Sequence, residues 1–147
     1  MCGAHIGALG RTAGCLDNAV LCAERAIGGD PFAVLLADDF LTDYEPDMNA
    51  DLAQTFAISS KAQLSVIEIN GSDISKYCVV VLNDFVMDIL GLLEKPDGHD
   101  APSNLASIGR YILTLDIYDT CKGLGAKSSR RMELISMCSR ALPKLSV

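Results

Sequence analysis

The sequence predicts an α/β fold with a mainly parallel sheet. Three features carry this expectation. Helical and strand-like periods alternate through the first half of the chain. The run "FAVLLA" is apolar without alternation, as in a strand covered on both faces. Both early strand candidates, "FAVLLA" and "LSVIEI", follow a helix-period segment.

The elements follow in order. "LDNAVLCAERAIGG" reads as a helix, with Asp17 as N-cap and Gly28-Gly29 as the stop. Val20, Leu21, Ala23 and Ile27 recur there at helical spacing. "PFAVLLADD" is then a buried, central, parallel strand that ends in two aspartates. "MNADLAQTFAISSKAQ" reads as a helix, "LSVIEI" as a strand and "NGSDISKY" as a loop. "CVVVL" and "VMDILGLLEK" are strands, the second stopped by Pro96. "IGRYILT" alternates into a strand and "LDIYDTC" is a short helix. The middle of the chain reads as an antiparallel insertion. The tail "MELISMCSRALPKL" is amphipathic and helical up to Pro143.

The chain has 147 residues, enough for a single domain. Half of its residues are hydrophobic (50%) and 21% are charged, which argues against extended disorder. A formal net charge of −7 disfavours non-specific nucleic-acid binding, which runs on Lys and Arg neutralising phosphates. An acidic protein that handles phosphates needs local cations, helix N-termini or a divalent metal. The six cysteines form no C-x-x-C pair and only two histidines accompany them, so no zinc spacing appears. Reduced thiols, a soluble protein, a cytoplasmic location and no membrane contact are the expectations. No secretory pattern opens the chain, and its apolar runs are far too short to span a bilayer.

Two places could carry chemistry. Asp38 and Asp39 follow the "FAVLLA" strand, and ligands in open α/β sheets sit beyond strand carboxyl ends. Paired carboxylates there either hold Mg²⁺, which takes one or two carboxylates, or cap the next segment and face water. Glu94-Lys95-Pro96 ends a strand. Its lysine could stabilise charge on a phosphoryl group, or the tripeptide is a solvated strand end. No nucleophile elbow and no P-loop occurs.

Three stretches together carry a resemblance: "NAVLCAERAIGGDPFAVLLADDFL", Lys76-Tyr77 before "CVVV", and "LLEKPDGHDAPSNLASIGRYILT". They resemble bacterial UTP–glucose-1-phosphate uridylyltransferases (UDP-glucose pyrophosphorylases). The likeness covers roughly residues 16–124. It is most specific in the E-K-P, A-P-S-N-L-A and G-R-Y-I-L-T succession. It implies a Rossmann-like, three-layer α/β/α nucleotide-diphospho-sugar transferase fold. The chain would be one partial nucleotidyltransferase domain over 1–147, lacking the family's N-terminal nucleotide loop and its strand.

The resemblance also implies a reaction. UTP and glucose 1-phosphate give UDP-glucose and pyrophosphate, with Mg²⁺ as cofactor. Asp38 would be the metal ligand and a catalytic residue, and Asp39 would lie near the ribose. Glu94 would bind glucose hydroxyls, and Lys95 would bind phosphates and act in catalysis. Cys78 and Ser107 would line the sugar site, with the loop from Pro96 to Ser107 as one wall. A homo-oligomer, or pairing with a full-length relative, is the assembly implied.

The chain departs from the family pattern in several places. The family's Gly-Leu-Gly-His reads "CLDN", so Cys15 and Asp17 replace two glycines near the base. The family's Tyr-Gly-Val reads "YCV", which puts Cys78 at a glycine position. After Gly125 the chain reads "KSSRRMEL", without the family's acidic and amide groups. A second reading follows from these changes: a non-catalytic relative or fragment that binds sugar nucleotides or partners an oligomer.

Overall fold

The computed structural model describes residues 16–37, 48–83, 89–124 and 140–144. Among the described residues there are three α-helices and six strands: α1 (Leu16–Ile27), β1 (Phe32–Leu35), α2 (Met48–Ser59), β2 (Gln63–Glu68), β3 (Cys78–Leu82), β4 (Ile89–Glu94), β5 (Leu105–Leu113), α3 (Asp116–Leu124) and β6 (Arg140–Lys144). A 3₁₀ helix, Gly71–Lys76, precedes β3.

The sheet runs β4-β3-β5-β2-β6, with β1 paired to β5 off this path. Only β2–β6 is parallel; the other described pairings are antiparallel. The expected α/β mixture holds, but a mainly parallel sheet does not. β5 is the reason. It returns antiparallel between β2 on one side and β3 and β1 on the other, so one long strand sets the direction of most pairings.

β2 is a buried inner strand, between β5 and β6. Leu64 and Val66 are fully buried on one face, and Gln63 and Ser65 are buried as well. The expectation of a central strand fell instead on β1. β1 alternates between half-buried and exposed residues, and Leu35 is 54% exposed. Among the described residues it pairs with β5 alone. Phe32 stacks on Tyr118 of α3 with ring centroids 5.6 Å apart.

The main core gathers Val20 of α1, Leu64 and Val66 of β2, Cys78 and Val80 of β3, Leu92 of β4, and Tyr111 and Leu113 of β5. Ile117, Tyr118 and Cys121 of α3 complete it. A smaller cluster of Ile74, Val79 and Ala106 lies on the opposite face of β3. β5 serves both faces by alternation and carries an irregularity opposite β2. Leu64 pairs with Tyr111 but Ser65 pairs with Ile108, so Gly109 and Arg110 are extra on β5. Two added residues keep the two-residue alternation, so Ser107 and Tyr111 stay on the face of Val66 and Leu64. A glycine inside a strand pattern marks such a site.

Helix ends follow local chemistry. Gly28 adopts φ +74° and donates its amide to Glu24, the left-handed close that glycine permits. α1 already runs at Leu16, so Asp17 stands in its first turn, not at the N-cap. The tail differs from expectation. Arg140–Lys144 is a strand beside β2, not the end of a helix. Pro143 has no N–H, and proline is tolerated on an outer strand such as β6. The rest of the expected tail helix lies outside the described residues.

Candidate functional site

The β3–β4–β5 register assembles the site. Cys78 pairs with Glu94 across the β3–β4 ladder. On the other side Val79 pairs with Ala106, which sets Cys78 beside Ser107 one step along the antiparallel ladder. Ser107 pairs in turn with Val66. Directly opposed residues share a face. Glu94, Cys78, Ser107 and Val66 therefore form one row across one face of the sheet. Along the row Val66 is fully buried, Ser107 half-buried, Cys78 buried and Glu94 exposed. Three residues that sequence reasoning named separately thus meet.

Ser107 stands within β5 and not in the loop. Its Oγ lies 3.4 Å from Tyr111 Oη. The loop wall therefore ends at Asn104, three residues earlier than expected.

Lys95 follows directly. It is exposed and adopts φ +45°, a left-handed backbone rare for a side chain of this kind. Its amide donates to Tyr77 O at 3.0 Å. Pro96 behind it is buried. Beside this turn, Lys76 Nζ donates to Asp73 Oδ1 at 2.7 Å, and that hydrogen bond holds the Lys76 ammonium above its ordinary pKa.

The loop after Lys95 is tied at its far end too. Ser103 Oγ donates to Val80 O at 2.6 Å and accepts from the Leu105 amide at 3.2 Å. Ile69 N donates to Asn104 O at 2.8 Å, and Asn104 Nδ2 donates to Glu68 Oε1. The "PSN" of the sequence anchors the loop. Sequence reasoning noticed that polar stretch but gave these two residues no role. Short hydroxyl and amide side chains at a loop end are the signal that finds them.

The end of β1 is gripped from β5. Leu36 N donates to Gly109 O at 2.8 Å, and Arg110 Nη1 donates to Leu36 O at 3.0 Å. The same nitrogen donates to Gly109 O. Arg110 was another residue without an expected role. Asp38 and Asp39, the expected metal ligand and ribose neighbour, lie outside the described residues. So do Cys15 and the "KSSRRMEL" stretch. Among the described residues no three His, Cys, Asp or Glu side chains gather as a metal cage. The chemistry of the Asp38–Asp39 pair suits a hard cation.

Comparison with known proteins decides the family. The family model of nucleotidyl transferases matches residues 10–146. The chain belongs to the nucleotidyl transferase family. A curated relative, the UTP–glucose-1-phosphate uridylyltransferase YngB of Bacillus subtilis (strain 168), is 34% identical over 122 residues, 81% of this chain and 41% of its own length. The UTP–glucose-1-phosphate uridylyltransferase of Pseudomonas aeruginosa is 40% identical over 109 residues, 70% of this chain and 38% of its own. A solved UDP-glucose pyrophosphorylase in complex with UDP-glucose superposes with a TM-score of 0.67 at 34% identity, over 76% of this chain and 44% of that one. This nucleotidyl transferase chain thus shares their fold but spans about two-fifths of the length of these curated relatives. No helix among the described residues is long and apolar enough to cross a membrane.

Proposed function

We propose that the chain carries the sugar-binding part of a UTP–glucose-1-phosphate uridylyltransferase, acting in the cytoplasm as one partial nucleotidyltransferase domain. The observation that carries this reading is the row Glu94–Cys78–Ser107, closed by the left-handed Lys95. It brings an exposed carboxylate and an exposed ammonium together at one strand end.

The reaction is in-line transfer. A phosphate oxygen of glucose 1-phosphate attacks the α-phosphorus of UTP. The bond to the bridging oxygen breaks and pyrophosphate leaves. Such chemistry rests on positioning and charge neutralisation more than on covalent help. Glu94 accepts hydrogen bonds from glucose hydroxyls. Lys95 neutralises phosphate charge. Cys78 and Ser107 form the floor under the sugar. Asp39 lies near the ribose, and Asp38 is the ligand for Mg²⁺. The bound ion, when present, offsets charge on the phosphates. A second copy, or a full-length relative, is the protein partner.

A second reading has its own support: the chain spans about 41% of YngB. It is a non-catalytic relative or fragment that binds sugar nucleotides or partners an oligomer. A thermal melt with and without Mg²⁺ and UDP-glucose, followed by a pyrophosphate-release assay, separates the two. A ligand at ~100 Kd that binds only the folded chain adds about 2.7 kcal/mol, a visible upward shift. A shift with pyrophosphate release supports the enzyme. A shift without release supports the binder. A cooperative melt with no shift rejects both sugar-nucleotide readings.

A further inference from the structure

We propose that Ser103 is a positioning residue for Lys95: it fastens the far end of the Lys95 loop to β3 and so keeps Lys95 in its left-handed backbone before any ligand arrives. The functional half of this inference rests on Lys95 as the phosphate-binding group. The mechanical half stands on the chain alone.

The left-handed region is disfavoured for any residue with a Cβ. Lys95 occupies it at φ +45°. Pro96 behind it removes the right-handed helical alternative, because the ring clashes with the preceding residue there. The extended region remains open to Lys95 in principle. Two anchors close it off. At the start of the loop the Lys95 amide holds Tyr77 O at 3.0 Å. At its end Ser103 Oγ holds Val80 O at 2.6 Å. Tyr77 and Val80 lie three positions apart on one continuous segment. Between the anchors the Asp100 amide closes on Asp97 O at 2.8 Å, and Gly98 sits over Ser72. A loop tied at both ends to one short segment, Tyr77 to Val80, has little freedom to relax its first residue. Strain kept at an exposed lysine costs stability, and such strain clusters where geometry serves function.

The other reading is that Ser103 merely joins β3 to β5 and that the Lys95 backbone is independent of it. A double-mutant cycle separates the two. Lys95→Ala and Lys95→Gly both remove the charge, but only glycine relieves the backbone. Lys95→Gly is expected to melt about 2–4 °C above Lys95→Ala. In the Ser103→Ala background that gap closes to about half or less. Ser103→Thr keeps the hydroxyl and restores the full gap. An equal gap in all three backgrounds overturns the proposal, as does the absence of a gap in the parent. Should Ser103→Ala not fold, the parent and the Ser103→Thr background decide: a gap missing in either overturns it.

Binding is read separately, by titration of UDP-glucose in Mg²⁺. Ser103→Ala is expected to weaken it about tenfold, with recovery in Ser103→Thr. If the parent chain does not bind UDP-glucose, the proposed function fails while the melting cycle still decides the role of Ser103.

Discussion

Cys78 faces Glu94 across the β3–β4 ladder, with its thiol buried in the core and the carboxylate exposed at the strand end. Opposed Cβ atoms in such a pair are about 4.5–5.5 Å apart. Under the proposed function, the thiol would set the depth of the floor beside Glu94. Cys78→Gly is expected to deepen that floor and tighten UDP-glucose binding by about threefold to tenfold. It also removes a buried side chain and adds backbone freedom, at a cost of about 1–2 kcal/mol. Calorimetric titration and a denaturant melt on the same variant check both signs.

Tyr118 is the second test. Its ring stacks on Phe32, and among the described residues its buried hydroxyl has no hydrogen-bond partner. A buried hydroxyl without a partner is costly. Tyr118→Phe keeps the ring and is expected to be neutral or to stabilise by about 1 kcal/mol at neutral pH. Burial, and then the Glu24 carboxylate, raise the Tyr118 pKa. Lys122 is raised too, chiefly by its hydrogen bond to Glu24 at 2.5 Å. Both groups hold their protons more tightly folded than unfolded. The stability they contribute is complete below about pH 10 and is lost as pH rises through the folded values. Tyr118→Phe should make the alkaline decline of Tm shallower.

Arg110 is the third. Its Nη1 bonds two backbone carbonyls, Leu36 O and Gly109 O, from the β5 bulge. Arg110→Met keeps much of the length and loses the donors. It is expected to cost about 1–3 kcal/mol in chemical denaturation. Arg110→Lys should recover only part, since one ammonium does not reproduce the planar fork. Amide exchange at Leu36 should quicken in Arg110→Met.

Much of this was legible in the residues. The apolar period of Val20, Leu21 and Ile27 and the stop at Gly28 place the end of α1 where it forms, while the Asp17 cap sets its start two residues late. The EKP…PSNLA…GRYILT succession identifies the family before any coordinates. What escaped the sequence depends on distant pairing. "FAVLL" has the composition of a central strand, yet strand order, not composition, makes β1 an outer neighbour of β5. Strand direction is likewise invisible in a local pattern, and the return of β5 made the sheet mostly antiparallel. Ser65 and Gln63 are buried polar residues that weaken the apolar signal of β2, a buried inner strand. The Glu94–Cys78–Ser107 row needs the β3–β4 and β3–β5 registers, which no local pattern states. The anchoring roles of Ser103 and Asn104 were latent in turn chemistry. The grip of Arg110 on Leu36 spans 74 positions and left no local trace.

The central claim is that Glu94 and Lys95 close a sugar-nucleotide site. Titration calorimetry of UDP-glucose with Mg²⁺ into the parent chain and into Lys95→Ala tests it most directly. The account predicts measurable binding to the parent and at least a tenfold weaker Kd, roughly 1.4 kcal/mol, for Lys95→Ala, with the fold intact by circular dichroism. Equal affinity in the two proteins, or no binding to a folded parent, would contradict it.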